Sequence, residues 1–139
     1  MPKERIIVLM GSKGDHKFAS RIGDFLREEG FPVTCDYNVA SAHRTPQKLL
    51  DDLQEYENSG DNIVLITVAG LSDALSGVVA GCTKYPVMAC PPDSEEYEGA
   101  KIFSSVATPK GIPVAYIPKP ENAALAAVKI LALSNHSLY

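Results

Sequence analysis

Arg5-Ile6-Ile7-Val8-Leu9-Met10-Gly11-Ser12-Lys13-Gly14-Asp15 passes from an unbroken aliphatic run into a short polar turn, and that transition decides the fold class. A strand with no polar alternation is covered on both faces, as in a parallel sheet. Beyond the turn, Phe18, Ile22, Phe25 and Leu26 fall at i, i+4, i+7 and i+8, one apolar stripe of a helix that Gly30 closes. The unit is strand, tight turn, helix. Gly11 and Gly14 let the turn bend sharply and bring N–H groups close to an anion. The turn is neither a Walker A loop, which needs Gly-Lys-Ser/Thr at its far end, nor a dinucleotide fingerprint, which needs a third glycine. On spacing alone, a plain tight turn with Lys13 exposed reads equally well.

The alternation repeats along the chain. Phe31 to Tyr37 reads as a second strand, started by Pro32 and therefore near an edge. It delivers Ser41-Ala42-His43-Arg44-Thr45-Pro46, in which Thr45 and Pro46 suit the N-cap and first position of a helix through Leu49, Leu50, Leu53 and Tyr56. Asn62 to Ala69 is the most apolar strand and belongs at the centre. Gly70-Leu71-Ser72-Asp73 then leads into a helix over 74–81, whose small residues suit close approach by another backbone, either a neighbouring subunit or the protein's own sheet. Pro86 to Cys90 forms a fourth strand, followed by Pro91-Pro92-Asp93-Ser94-Glu95-Glu96, an acidic loop suited to lidding a site or to lying in solvent. A short helix over 97–105, a turn at Thr108-Pro109-Lys110-Gly111 and a fifth strand over 113–117 come next. The last helix, 122–133, is rich in alanine and buries Leu125, Val128, Ile130 and Leu131.

Strands alternating with helices through short links specify one α/β domain over residues 1–139: a flavodoxin-like, doubly wound three-layer sandwich on a five-stranded parallel sheet of order 2-1-3-4-5. The switch point of that order lies between strands one and three. The loops 12–15, 41–44 and 70–73 all leave strand carboxyl ends there, so they converge. That convergence lifts His43 and Arg44 above an idle surface pair.

Composition narrows the ligand. The chain has 139 residues, 45% apolar and 22% charged, with a net charge of −4 and scattered Lys and Arg, which argues against a general nucleic-acid partner. No run approaches the ~18 apolar residues of a membrane span. The N-terminus leads straight into a strand with no leader-like segment, so the expected location is the cytoplasm. Cys35, Cys82 and Cys90 are far apart and apolar in setting, which predicts buried thiols rather than a disulfide or metal site. Arg44 and the helix N-terminus behind it would make a seat for a phosphate or carboxylate. An imidazole exchanges protons in both directions near neutrality, which makes His43 the candidate acid and base. His16 stands close enough in sequence to line the site, whereas His136 faces solvent.

Taken together, the three loops resemble the PurE-type carboxylases and mutases of aminoimidazole ribonucleotide in purine (IMP) biosynthesis, over nearly the whole chain. Gly11-Ser12-Lys13-Gly14-Asp15 is similar to the family's GSxSD turn, Ser41 to Pro46 is its SAHRTP loop unaltered, and Ala69 to Gly77 occupies its third signature. The resemblance implies His43 as the catalytic residue. It implies substrate binding by Gly11, Ser12, Lys13, Asp15, Ser41, Arg44, Ala69, Gly70, Ser72, Asp73, Ala74 and Leu75. Asp73-Ala74-Leu75-Ser76-Gly77 resembles the SNALSG form of the branch that carboxylates the ribonucleotide directly with CO2, and lacks the second histidine of the mutase branch's AHLPG stretch. Cys90-Pro91-Pro92 points the same way. Arg44 is instead the mutase-type residue, and Gly14 replaces a serine of the phosphate cradle. The resemblance implies no metal and no cofactor, and a homo-octamer, which an end at Tyr139 could reduce to a tetramer or dimer. A receiver domain is disfavoured because Met10-Gly11-Ser12 and Val68-Ala69-Gly70 lack its carboxylates, and a flavin binder because the Gly70 loop offers no aromatic ring.

Overall fold

The computed structural model describes residues 2–93 and 96–139, the side chains of Glu96 and Glu98 excepted. Its elements run β1 (Glu4–Met10), α1 (His16–Glu28), β2 (Thr34–Val39), α2 (Pro46–Ser59), β3 (Asn62–Val68), α3 (Ala74–Cys82), β4 (Val87–Ala89), α4 (Phe103–Val106), β5 (Ala115–Tyr116) and α5 (Pro120–Ala132). Short 3-10 turns cover Lys13–Asp15, Glu96–Ile102 and His136–Leu138. The sheet is β2-β1-β3-β4-β5 and every pairing is parallel, as the sequence predicts.

Side-chain alternation along β1 and β3 explains why both strands are aliphatic throughout. Ile6, Val8, Met10, Val64, Ile66 and Val68 face α1 and α5, and pack on Ala19, Ile22, Leu26, Ala124, Ala127 and Val128. Ile7, Leu9, Ile63 and Leu65 face the opposite layer, against Leu49 and Leu53 of α2 and Leu75 and Val79 of α3. Truncating one of the buried leucines or isoleucines among them to alanine costs about 2–5 kcal/mol. The buried face of α5 is Ala123, Ala124, Ala127, Val128 and Leu131. Leu125 and Ile130 are only half-buried.

Several boundaries differ from the sequence reading, each for a local reason. β2 begins at Thr34 because Phe31 is used to close α1: Phe31 N–H donates to Leu26 O (2.9 Å) and Gly30 N–H to Arg27 O (3.2 Å), with Gly30 at φ +76°. Phe31 then packs against Phe25 and Tyr139. β4 and β5 are shorter than expected because Pro86, Pro91, Pro113 and Pro118 flank them without N–H groups to extend a ladder. Left-handed backbone at Tyr97 (φ +56°) and Gly99 (φ +81°) breaks the predicted helix over 97–105 into a 3-10 segment and the single turn of α4. Leu50 stands exposed beside the buried stripe of α2. Cys82 is exposed rather than buried, because it ends α3 on the solvent side; Cys35 is half-buried and Cys90 fully buried. Burial pushes the Cys90 thiol up to about 12 and the Cys35 thiol up to about 11. The small residues of α3 accommodate the protein's own chain. A Cβ on Gly81 would stand 3.3 Å from Ile112 Cδ1, and one on Gly77 4.0 Å from Thr108 Cγ2.

Candidate functional site

Register places the site. Met10 pairs with Val39 on one side and Val68 on the other, so β2, β1 and β3 end in one row. The ladder then continues one residue further, with Ala40 N–H on Met10 O and Gly11 N–H on Val68 O, both at 2.9 Å. The loops that follow open at one level on either side of the switch point. Between them lies a cleft of about 330 Å³, lined by Gly11, Ser12, Asp15, Ser41, Ala42, His43, Arg44, Ala69, Gly70, Leu71, Ser72 and Leu75. That volume suits a small ligand.

The first loop folds a carboxyl back over its own start. Asp15 Oδ2 accepts from Ser12 N–H (3.2 Å) and from the Ser12 hydroxyl (3.4 Å). A Cβ on Gly11 would lie 3.8 Å from Oδ2, and one on Gly70 3.9 Å from Oδ1, so the carboxyl is packed between the first and third loops. Burial raises the Asp15 carboxyl above the usual carboxylate range, against the bonds from Ser12 and the nearby charge of Lys101. Lys13 stands exposed on the turn, outside the cleft lining.

The second loop is closed by its own hydroxyls. Ser41 N–H donates to Thr45 Oγ1 (2.9 Å), Arg44 N–H to Ser41 Oγ (3.0 Å) and Thr45 N–H to Ser41 O (3.0 Å). Thr45 occupies the N-cap position with Pro46 in the first turn, but its hydroxyl serves the loop rather than α2. The Ser41 oxygen accepts within the loop, which leaves its proton for a ligand. Behind the loop, Lys48 Nζ donates to Val39 O (2.9 Å), Asn38 Oδ1 (3.0 Å) and Asp52 Oδ2 (2.6 Å), fastening the end of β2 to α2. His43 and Arg44 project from this braced turn with exposed side chains.

In the third loop Leu71 takes φ +55° while 56% exposed, a conformation that costs a branched residue about 1–2 kcal/mol. Asp73, by contrast, is only 2% exposed and caps α3, its Oδ1 accepting from Ser76 N–H at 3.0 Å. The structure therefore gathers Gly11, Ser12, Asp15, Ser41, His43, Arg44, Ala69, Gly70, Ser72 and Leu75 around one space, and leaves Lys13, Asp73 and Ala74 outside its lining. His16 does not line it either; its ring meets Tyr37 edge-on at 5.4 Å on the α1–β2 side. His136 is exposed in the last turn. Sequence reasoning missed Leu71, whose backbone conformation no residue pattern announces, and Lys101, which no motif marks. Ala42, inside the second loop, also lines the cleft. The acidic loop over 91–96 falls partly on Ser94 and Glu95, outside the described residues.

A parallel doubly wound sheet with hydroxyls, a guanidinium, a carboxyl and an imidazole around its switch-point cleft defines an α/β protein with a polar cleft of small-ligand size. The model of the AIR carboxylase family matches residues 5–139, and the chain belongs to that family. It is 41% identical over 134 residues to the phosphoribosylaminoimidazole carboxylase of Archaeoglobus fulgidus, covering 96% of this chain and 72% of that one. To the protein of the same name from Treponema denticola it is 41% identical over 128 residues, covering 92% and 79%. The bifunctional phosphoribosylaminoimidazole carboxylase/phosphoribosylaminoimidazole succinocarboxamide synthetase of Mus musculus is 37% identical over 135 residues, 97% of this chain but 31% of that longer one. The crystal structure of Treponema denticola PurE superposes with a TM-score of 0.93 at 38% identity, covering 98% of this chain and 85% of that one.

Proposed function

We propose that this chain carboxylates 5-aminoimidazole ribonucleotide at C4 with CO2, reversibly, giving the 4-carboxy ribonucleotide of purine biosynthesis. The observation that carries the reading is the cleft, which brings an imidazole and a hydroxyl–guanidinium anion seat into one space in a chain of the AIR carboxylase family. The α3 N-terminus already holds the Asp73 carboxylate, so a second anion is better received on the side of Ser12, Ser41 and Arg44. The phosphate is assigned there. Asp15 Oδ1 is left to accept from ribose hydroxyls, Oδ2 being taken by Ser12. The imidazole ring and CO2 then fall towards Gly70, Leu71, Ser72 and Leu75.

In that pose the electron-rich C4 attacks the CO2 carbon, forming the C–C bond while one C–O π pair moves to oxygen. C4 is then tetrahedral and still carries its hydrogen. His43 removes this proton and the C–H pair restores the aromatic ring. In reverse, His43 protonates C4 and CO2 departs. As written, the reaction draws on no cofactor.

A mutase that moves the carboxylate from the N5 carbamate is the second reading, favoured by Arg44. A non-enzymatic binding domain is the remaining one. Two turnover assays decide between them, one with the ribonucleotide plus CO2 and bicarbonate, the other with fresh N5-carboxy compound. Rapid carboxylation from CO2 supports the proposal, as does use of the N5 compound no faster than it decays. Efficient use of the N5 compound alone overturns it in favour of the mutase, and no turnover in either assay overturns both. The same reading makes the protein a cytoplasmic homo-oligomer, an octamer with tetramer or dimer as alternatives, and the exposed side chains of Tyr97, Phe103 and Val106 support it as apolar surface.

A further inference from the structure

Asp73 is buried beside the cleft but outside its lining, and its donors among the described residues are uncharged. Ser76 N–H reaches Oδ1 (3.0 Å), while the hydroxyls of Ser76 (2.5 Å) and Ser105 (2.6 Å) reach Oδ2. Ser76 Oγ lies 2.5 Å from Thr67 Oγ1 on β3, which in turn stands 3.3 Å from Met88 O on β4. The Asp73 N–H donates to Ser104 Oγ (2.8 Å), and Ser104 passes its own proton to Lys101 O (2.6 Å). One short polar chain thus joins β3, α3 and α4 at the residue that follows Gly70-Leu71-Ser72. A buried carboxylate without a cation tolerates this setting only if such bonds satisfy it.

Along its arm to β3 the network has two proton orders. With a carboxylate, protons run from Thr67 to Ser76 to Asp73. With an amide in its place, Nδ2 donates to Ser76, Ser76 to Thr67, and Thr67 to Met88 O, so the link to β3 survives the exchange. Alanine leaves Ser76 N–H, Ser105 and the end of α3 without an acceptor.

We propose that Asp73 is a positioning residue, whose clamp on Ser76, Ser104 and Ser105 holds the Gly70–Ser72 turn, with Leu71 in its left-handed conformation, in the shape that walls the cleft. It acts without touching substrate. The kinetic side rests on the carboxylase reading above; the structural side does not. The test compares wild type, Asp73→Ala and Asp73→Asn by AIR carboxylation and by amide hydrogen exchange over 70–76 and 101–106. Asp73→Ala is expected to exchange faster in both segments and to lose roughly tenfold or more in kcat/KM, as displaced site walls do. Asp73→Asn, which keeps the bonds to Ser76 but leaves the Ser105 proton without its acceptor, should restore slow exchange over 70–76 and most of the rate. Unchanged exchange in Asp73→Ala overturns the clamp, whether or not the rate falls, and a rate loss that Asn does not rescue assigns Asp73 to direct substrate contact. If Asp73→Ala does not fold, Ser105→Ala, which removes one bond of the clamp, must still loosen 101–106, and normal protection there overturns the proposal. Absent turnover in wild type fails the carboxylase reading alone, since the exchange comparison stands without it.

Discussion

In the proposed reaction the C4 proton is removed in one direction and returned in the other, so His43 carries the sharpest expectation. His43→Asn should lower turnover by at least about 100-fold while the nucleotide still binds, because general acid–base groups contribute ~10²–10⁴. A steady-state assay with parallel calorimetry checks both halves, and a near-normal rate would remove His43 from the chemistry. Arg44→Ala should instead weaken binding by about 1.5–3 kcal/mol, the worth of a charge-assisted bond. Calorimetric titration with the ribonucleotide reads it, and unchanged affinity would put the phosphate elsewhere. Asp15 ties binding to stability. Its carboxyl is raised by burial, so the unfolded chain ionises first as pH rises through the usual carboxylate range. Over that window the native state holds more protons than the unfolded state, and this group's contribution to stability falls until the folded carboxyl also ionises. Asp15→Asn should therefore gain stability relative to wild type at pH 7 compared with pH 3, by urea denaturation, while binding the ribonucleotide less well. The opposite pH trend would show that the bonds from Ser12 outweigh burial. The placement of His43, Arg44 and Asp15 around the cleft was legible because each sits in a loop at a strand's carboxyl end. The inward aim of Asp73 was not, because Ser104 and Ser105, about thirty residues on in sequence and distant partners by any local pattern, decide it.

Elements were legible where one local rule dominates. The aliphatic strands β1 and β3, and α2 behind Pro46, follow directly from pattern and capping. The failures lie where proline or a left-handed residue interrupts a pattern, as around β4, β5 and 96–106, or where a cap takes a residue a strand could have used, as at Phe31. Gly23 shows a tertiary contact reversing a propensity. In mid-helix, alanine normally improves on glycine by about 1 kcal/mol. Here the Tyr37 hydroxyl accepts from Gly23 N–H at 2.9 Å, and a Cβ at 23 would collide with that oxygen. Gly23→Ala should thus destabilise by about 1–3 kcal/mol, as overpacking does. Adding Tyr37→Phe, which removes the obstructing oxygen, should recover part of the loss. Urea midpoints of the two single variants and the double give the coupling, and strict additivity would mean that the ring simply swings aside.

At the scale of the whole molecule, the site stands at the edge of an apolar surface. Leu71 belongs to the cleft and also to a neighbouring hollow formed with Tyr97, Ala100, Lys101 and Ser104. Tyr97 is 75% exposed, Phe103 65% and Val106 44%, on the same segment that Asp73 fastens to the third loop. Side chains of that size left in water suit a contact surface, and a second copy of the chain is the partner the proposed oligomer supplies. A charge placed in such an interface must be desolvated without compensation, at a cost of several kcal/mol per contact. Phe103→Glu should therefore lower the mass measured by light scattering from a multiple of 14.9 kDa towards one chain, leaving the circular dichroism of the fold intact. Since α4 is joined through Ser104 and Ser105 to the turn that walls the cleft, the dissociated variant should also lose carboxylation rate, although Phe103 itself does not line the cleft. Wild type running as a monomer at working concentration would remove the oligomer, and an unchanged mass for Phe103→Glu would move the interface to another face.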